Sequence, residues 1–126
     1  MFVGLFGCAD DVFREFSVPE AERDGVTILY ANYEQEYYEG SAGVVFVREG
    51  KLFWVSGSHC SCYGLEEQWS PEPITLSEIR HYASNGATPY GIDFESFSEF
   101  VDRFAHLDTE TLTSDEVAML VKLMLG

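Results

Sequence analysis

Basic side chains are scarce in this sequence: 7 Lys and Arg stand against 22 Asp and Glu in 126 residues, a formal net charge of -15. Affinity for DNA or RNA comes mostly from cations that neutralise phosphates and release counterions, so direct nucleic-acid binding is disfavoured. Anionic membrane surfaces are disfavoured for the same reason. No apolar run approaches the roughly 18 residues that span a bilayer. The opening MFVGLFGC is apolar, but it is short, lacks a basic region and leads straight into Asp10 and Asp11. It does not read as a secretory signal, and a cytoplasmic location is expected. Cysteine is also sparse and odd in number, with Cys8, Cys60 and Cys62 only. A disulfide framework is therefore not expected, and free thiols are. There is no glycine-rich phosphate loop followed by lysine, no HExxH and no calcium loop.

What the chain does contain is enough to fold. Hydrophobic residues make up 46% and aromatics 15%, whereas disordered acidic chains are poor in both aromatic and branched residues. Its length suits one domain over 1–126 with one core. Val26 to Tyr33 is rich in β-branched and aromatic residues and reads as a strand over 26–33. Strands at 43–48 and 51–56 face each other across Glu49 and Gly50, a hairpin signature, and Val45, Val47, Leu52 and Trp54 are expected in the core with Phe46 and Phe53. Ahead of them, Val12, Phe13 and Phe16 fit a short helical turn over 10–16, and Asp24 and Gly25 close a charged connection. Residues 57–73 show neither the helical nor the strand period and read as a long connection, held to the domain by Tyr63, Leu65 and Trp69.

Helical signals follow. Thr75 and Glu78 fit a capping box opening a helix over 75–84, stopped by Asn85 and Gly86. Asp93 fits the N-cap of a helix over 93–105, with Phe94, Phe97, Phe100, Val101 and Phe104 on one side. Thr113 to Glu116 opens a third helix over 114–125. Strands before helices, without βαβ alternation, predict an α+β fold with the helices packed on a small antiparallel sheet.

Two segments carry candidate chemistry. His59, Cys60 and Cys62 crowd together within 57–64 and are ligand types suited to zinc, although C-x-C is a weaker spacing than C-x2-C. On an extended backbone Cys60 and Cys62 share one face and His59 takes the other. A fourth ligand is not singled out, and the competing reading makes the cysteines small buried hydrophobes and His59 a surface residue. A nucleophilic cysteine needs a base within reach and a cationic setting, which this chain has little means to supply, so no catalytic residue is assigned and an enzyme is not expected.

The charge pattern is the second. Glu95, Glu99 and Asp102 recur at i, i+4 and i+7 on the side of the 93–105 helix away from the phenylalanines, and like charges at that spacing cost a few tenths of a kcal/mol per pair. Glu34, Glu36 and Glu39 interleave with Tyr33, Tyr37 and Tyr38. Carboxylates mixed with tyrosines suit a surface that meets an Arg/Lys-rich partner, and Glu34, Glu36, Tyr37, Tyr38, Glu39, Glu95, Glu99 and Asp102 are the candidate partner-binding residues. A highly soluble face with no target has the same composition.

The segment GSHCSCYGLExQW over 57–69 resembles one shared by small acidic proteins of bacteriophages and prophages. The likeness extends over roughly a quarter of the chain, about 43–73, and brings no activity with it. What it implies is a setting: small acidic phage proteins are often inhibitors of host defence or of host nucleic-acid enzymes, some of them presenting carboxylates in place of DNA phosphates. Composition and resemblance together lead to the expectation of a non-enzymatic inhibitor of a basic nucleic-acid-handling host protein, an anti-CRISPR or anti-restriction DNA mimic. The alternative is a zinc-binding or regulatory domain organised by His59, Cys60 and Cys62.

Overall fold

The computed structural model describes residues 2–36, 39–60, 64–75, 78–79, 81–82 and 94–102. These form an α+β arrangement around a five-stranded sheet with strands in sequence order. Strand β1 is Phe2–Gly4, followed by helices α1 (Ala9–Glu15) and α2 (Glu20–Arg23), then β2 (Thr27–Glu36), β3 (Glu39–Arg48), β4 (Lys51–Cys60), β5 (Glu72–Pro73) and helix α3 (Phe94–Asp102). Among the described residues no helix is long and apolar enough to cross a membrane.

The sheet is mixed and not purely antiparallel as expected. β1 pairs parallel with β2, Phe2 opposite Ala31 and Gly4 opposite Tyr33, while the other pairings are antiparallel. Parallel neighbours need a crossover, and α1 with α2 supplies it, so a β-α-α-β unit opens the chain where no such alternation was expected. Three residues of strand are too few to show a period.

The central strands also run further than their apolar cores. β2 and β3 pair from Thr27 opposite Val47 to Glu36 opposite Glu39, and β4 pairs with β3 as far as Cys60. The start of the segment read as a connection, residues 57–60, is therefore strand, and Glu72–Pro73 adds a further short one. The turn between β3 and β4 is the one the sequence announces, with Glu49 at φ 53° and Gly50 at φ 76°. Two successive positive φ values are the mark of a hairpin turn whose twist matches its strands.

Both faces of the sheet are covered. On one, Tyr30, Val45, Val47 and Leu52 pack with Ile74, Ile79 and the α3 residues Phe97, Phe100 and Val101. On the other, Ala31, Tyr33, Val44, Phe46 and Val55 pack with Phe6, Leu65 and the α1 side, Val12, Phe13 and Phe16. Helices thus flank the sheet on two sides, where packing of C-terminal helices alone was expected. The register shifts between Ile28 and Tyr30, a bulge in β2. The bulge lets Leu29 and Tyr30, adjacent in sequence, enter the same core.

The 64–74 stretch is a packed cover for the edge of β4. Leu65 is fully buried, and Trp69 stacks on Phe46 with centroids 5.3 Å apart and planes 14° apart. The Gln68 side-chain amide accepts from Ser58 N–H and donates to Ser58 C=O, each at 2.8 Å, in the manner of a neighbouring strand. Ile74 N–H donates to Leu52 C=O at 3.1 Å, and Pro73 sits in the two-residue edge strand. Such devices remove the open edge that another chain could extend. At the next helical signal, Glu78 N–H donates to Thr75 Oγ1 at 3.1 Å and Thr75 N–H to Glu78 Oε1 at 3.2 Å, the reciprocal pair of a capping box. Residues 78–79 and 81–82 are helical, α3 falls within the expected 93–105, and the expected helix over 114–125 lies outside the described residues.

Candidate interaction surface

β2 and β3 are built to put their carboxylates at one end of the sheet. Pairing is regular from Tyr30 to Glu36, so strand alternation places Glu34 on the face that α3 covers, the same face as Tyr30. The same count from Val45 along β3 places Glu39 there. Glu34 and Glu39 are exposed, and Glu36 holds the register position directly opposite Glu39. Like charges facing each other across a strand pair are destabilising. At the other end of the sheet, Arg48 is opposite Lys51. Ten residues at about 3.3 Å each separate the two ends by roughly 30 Å.

α3 adds the second group. Phe97, Phe100 and Val101 are buried, and Tyr30 makes tilted and edge-on ring contacts with Phe100 and Phe97 at 5.3 and 5.8 Å. The Tyr30 hydroxyl shares a 2.7 Å hydrogen bond with Ser96 Oγ, which fixes the helix rotation. Glu95, Glu99 and Asp102 are left exposed. The two acidic groups that are distant in sequence therefore lie on the same side of the sheet. Among the described residues the ion pair formed is Arg14 with Asp11 at 2.7 Å, and none of these carboxylates takes part in one. Tyr37 and Tyr38 lie outside the described residues.

The Cys/His segment and the Tyr/Glu stretch, separate in sequence, are neighbours in the fold. Gly40 is opposite His59 and Glu39 opposite Cys60. His59 Nε2 shares a 2.7 Å hydrogen bond with the Tyr33 hydroxyl, their rings edge-on at 5.9 Å. The ring lies over Gly40, where an added Cβ would collide with it. His59 is thus half-buried and engaged, not the surface residue of the competing reading, and its Nδ1 is buried with no hydrogen-bond partner among the described residues. Burial raises the Tyr33 phenol above its ordinary ionisation range, and the carboxylates of Glu15 and Glu66 push the same way. Tyr33 stays protonated at neutral pH. Glu66 in turn accepts from Gly64 N–H at 2.9 Å.

As for metal, no group of three or more His, Cys, Asp or Glu among the described residues could hold an ion. The Cys60 side chain and Cys62 lie outside them. Cys8 is exposed and free. Asp11 is held below the usual carboxylate range by the Gly7 N–H that donates to it at 2.9 Å, aided by Arg14, and this fastens the start of α1. Gly40 and Glu15 were not singled out from the sequence; the absence of a side chain opposite His59 becomes meaningful only once the register is known. No family model, curated protein or solved structure matches the chain.

Proposed function

We propose that this protein is a non-enzymatic, acidic interaction protein that inhibits a basic nucleic-acid-handling host protein, in the manner of a phage anti-CRISPR or anti-restriction DNA mimic. The observation that carries the reading is the placing of exposed carboxylates from β2, β3 and α3 on one side of the sheet. Glu34, Glu36, Glu39, Glu95, Glu99 and Asp102 are the contact residues, and complementary charge of this kind steers encounter with a cationic surface and suppresses wrong partners. The test is a pull-down from bacterial lysate with the wild-type protein and with a variant carrying Lys at Glu34, Glu39, Glu95, Glu99 and Asp102. The wild type captures a nucleic-acid-binding protein, releases it as salt rises, and blocks its action on DNA or RNA; the variant does none of these. Identical captured proteins and salt sensitivity for both would reject the proposal.

The second reading is a small zinc-binding or regulatory domain organised by His59, Cys60 and Cys62. The Nδ1 of His59, buried and without a hydrogen-bond partner among the described residues, favours it, because metal-bound histidines commonly engage their other ring nitrogen with a further partner, as Tyr33 does here. Elemental analysis of protein purified without chelator decides it, and an absence of stoichiometric metal overturns it.

A further inference from the structure

We infer that Tyr33, Gly40 and His59 form a strap that holds the end of the β2–β3 hairpin, and that they are positioning residues for the acidic surface. The functional half of the inference rests on the reading proposed above; the strap itself does not.

Among the described residues, the end of the hairpin has few side-chain pairs across its strands. Beyond the apolar pairs of the sheet centre, its facing positions are Tyr33 with Ala42, Glu34 with Ser41, Gln35 with Gly40 and Glu36 with Glu39. Glycine, serine and a like-charge pair supply almost none of the cross-strand packing that stabilises a sheet. Across β3, the facing residues of β4 are Gly57, Ser58, His59 and Cys60, again without a branched or aromatic pair. Against this background one side-chain contact spans three strands: the hydroxyl of Tyr33 on β2 meets Nε2 of His59 on β4 at 2.7 Å, passing over Gly40 on β3. Gly40 has no positive φ, so its lack of a side chain serves the ring above it and not the backbone. Tyr33 is itself fixed at the other edge, since its carbonyl accepts Leu5 N–H at 2.8 Å and its ring packs on Phe6 at 5.2 Å. The strap therefore ties the weakly paired end to the well-packed layer formed by α1 and the 64–74 cover. It also couples the Cys/His segment to the carboxylates at 34–39.

The experiment is native-state amide hydrogen exchange on the full chain, comparing wild type with Tyr33→Phe and Gly40→Ala. The phenyl ring keeps the Phe6 contact while losing the hydroxyl, and alanine displaces the imidazole while leaving both partners chemically intact. In both variants exchange at 34–36 and 39–41 rises about tenfold, the equivalent of one net hydrogen bond, while amides at 44–47 and 52–55 keep their protection. Unchanged exchange at the hairpin end in both variants overturns the strap, and so does a uniform rise across the sheet, which would mark a merely global role. A second arm measures binding to poly-L-lysine at low salt, where Tyr33→Phe weakens binding several-fold although no charge is altered. Faster local exchange with undiminished poly-L-lysine binding would leave the strap standing and overturn its role in positioning the acidic surface, whereas a wild type that fails to bind poly-L-lysine at all would sink the acidic-surface reading.

Discussion

Replacing Trp69 with alanine tests whether the stretch after β4 is a structural layer or a dispensable connection. The indole stacks on Phe46 at 5.3 Å and meets Phe16 and Phe13 edge-on at 5.4 and 6.4 Å, so its removal opens the middle of one core. Truncating a fully buried aromatic to alanine costs about 3–5 kcal/mol, and aromatic pairs add about 0.5–1.5 kcal/mol beyond their area. Trp69 is only partly buried, which places the expected loss near the lower bound, about 3 kcal/mol. That is a large share of the roughly 5–15 kcal/mol that holds a domain of this size together. It corresponds to a fall in Tm of about 10 °C. Urea denaturation followed by far-ultraviolet circular dichroism reads the loss without depending on the deleted fluorophore. The midpoint falls and the slope stays constant, because the surface exposed on unfolding barely changes. A variant within about 0.5 kcal/mol of wild type, the range of ordinary surface substitutions, would refute the claim that this segment is part of the core.

Two further outcomes follow from single positions. Glu49 sits in left-handed backbone that favours asparagine or glycine, so Glu49→Asn stabilises the protein by about 0.5–1 kcal/mol, measured by the same denaturation; destabilisation would mean that the Glu49 side chain makes a contact worth more than the strain. Tyr33 ionises above 10.0 in the folded state because of burial, Glu15 and Glu66, which favours the neutral form on folding. Its contribution is complete below the unfolded value and is lost as pH rises through the folded one, since the unfolded chain releases its proton first. Wild-type stability therefore falls more steeply above about pH 10 than that of Tyr33→Phe, and parallel alkaline profiles would contradict the placement of this hydroxyl.

Much of the local structure was legible because local chemistry dictates it. Glu49 and Gly50 mark the hairpin turn, Thr75 and Glu78 form their reciprocal cap, and Val12, Phe13 and Phe16 are buried as the helical spacing predicted. The exposure of Glu95, Glu99 and Asp102 follows from the same 3.6-residue period that buries Phe97 and Phe100. The extension of β3 and β4 through Gly40, Ser41, Gly57 and Ser58 was not legible, since these residues have no strand preference of their own and are extended by virtue of their partners. The unbroken apolar run from Val44 to Val47 was a sign that could have been used: a strand buried on both faces loses its alternation.

The amino-acid sequence by itself determined the acidity, the turn at Glu49 and Gly50, the Thr75–Glu78 cap and the buried faces of α1 and α3, because these depend on residues within a few positions of one another. Only the tertiary structure decided that β1 joins the sheet in parallel, that both faces are covered, and that His59 meets Tyr33 over Gly40. Strand partners and their register are contacts between distant residues, set by which packing of the whole chain buries the most apolar surface with its polar groups paired. The same long-range choice brought the carboxylates of α3 to the side of the sheet that bears Glu34 and Glu39.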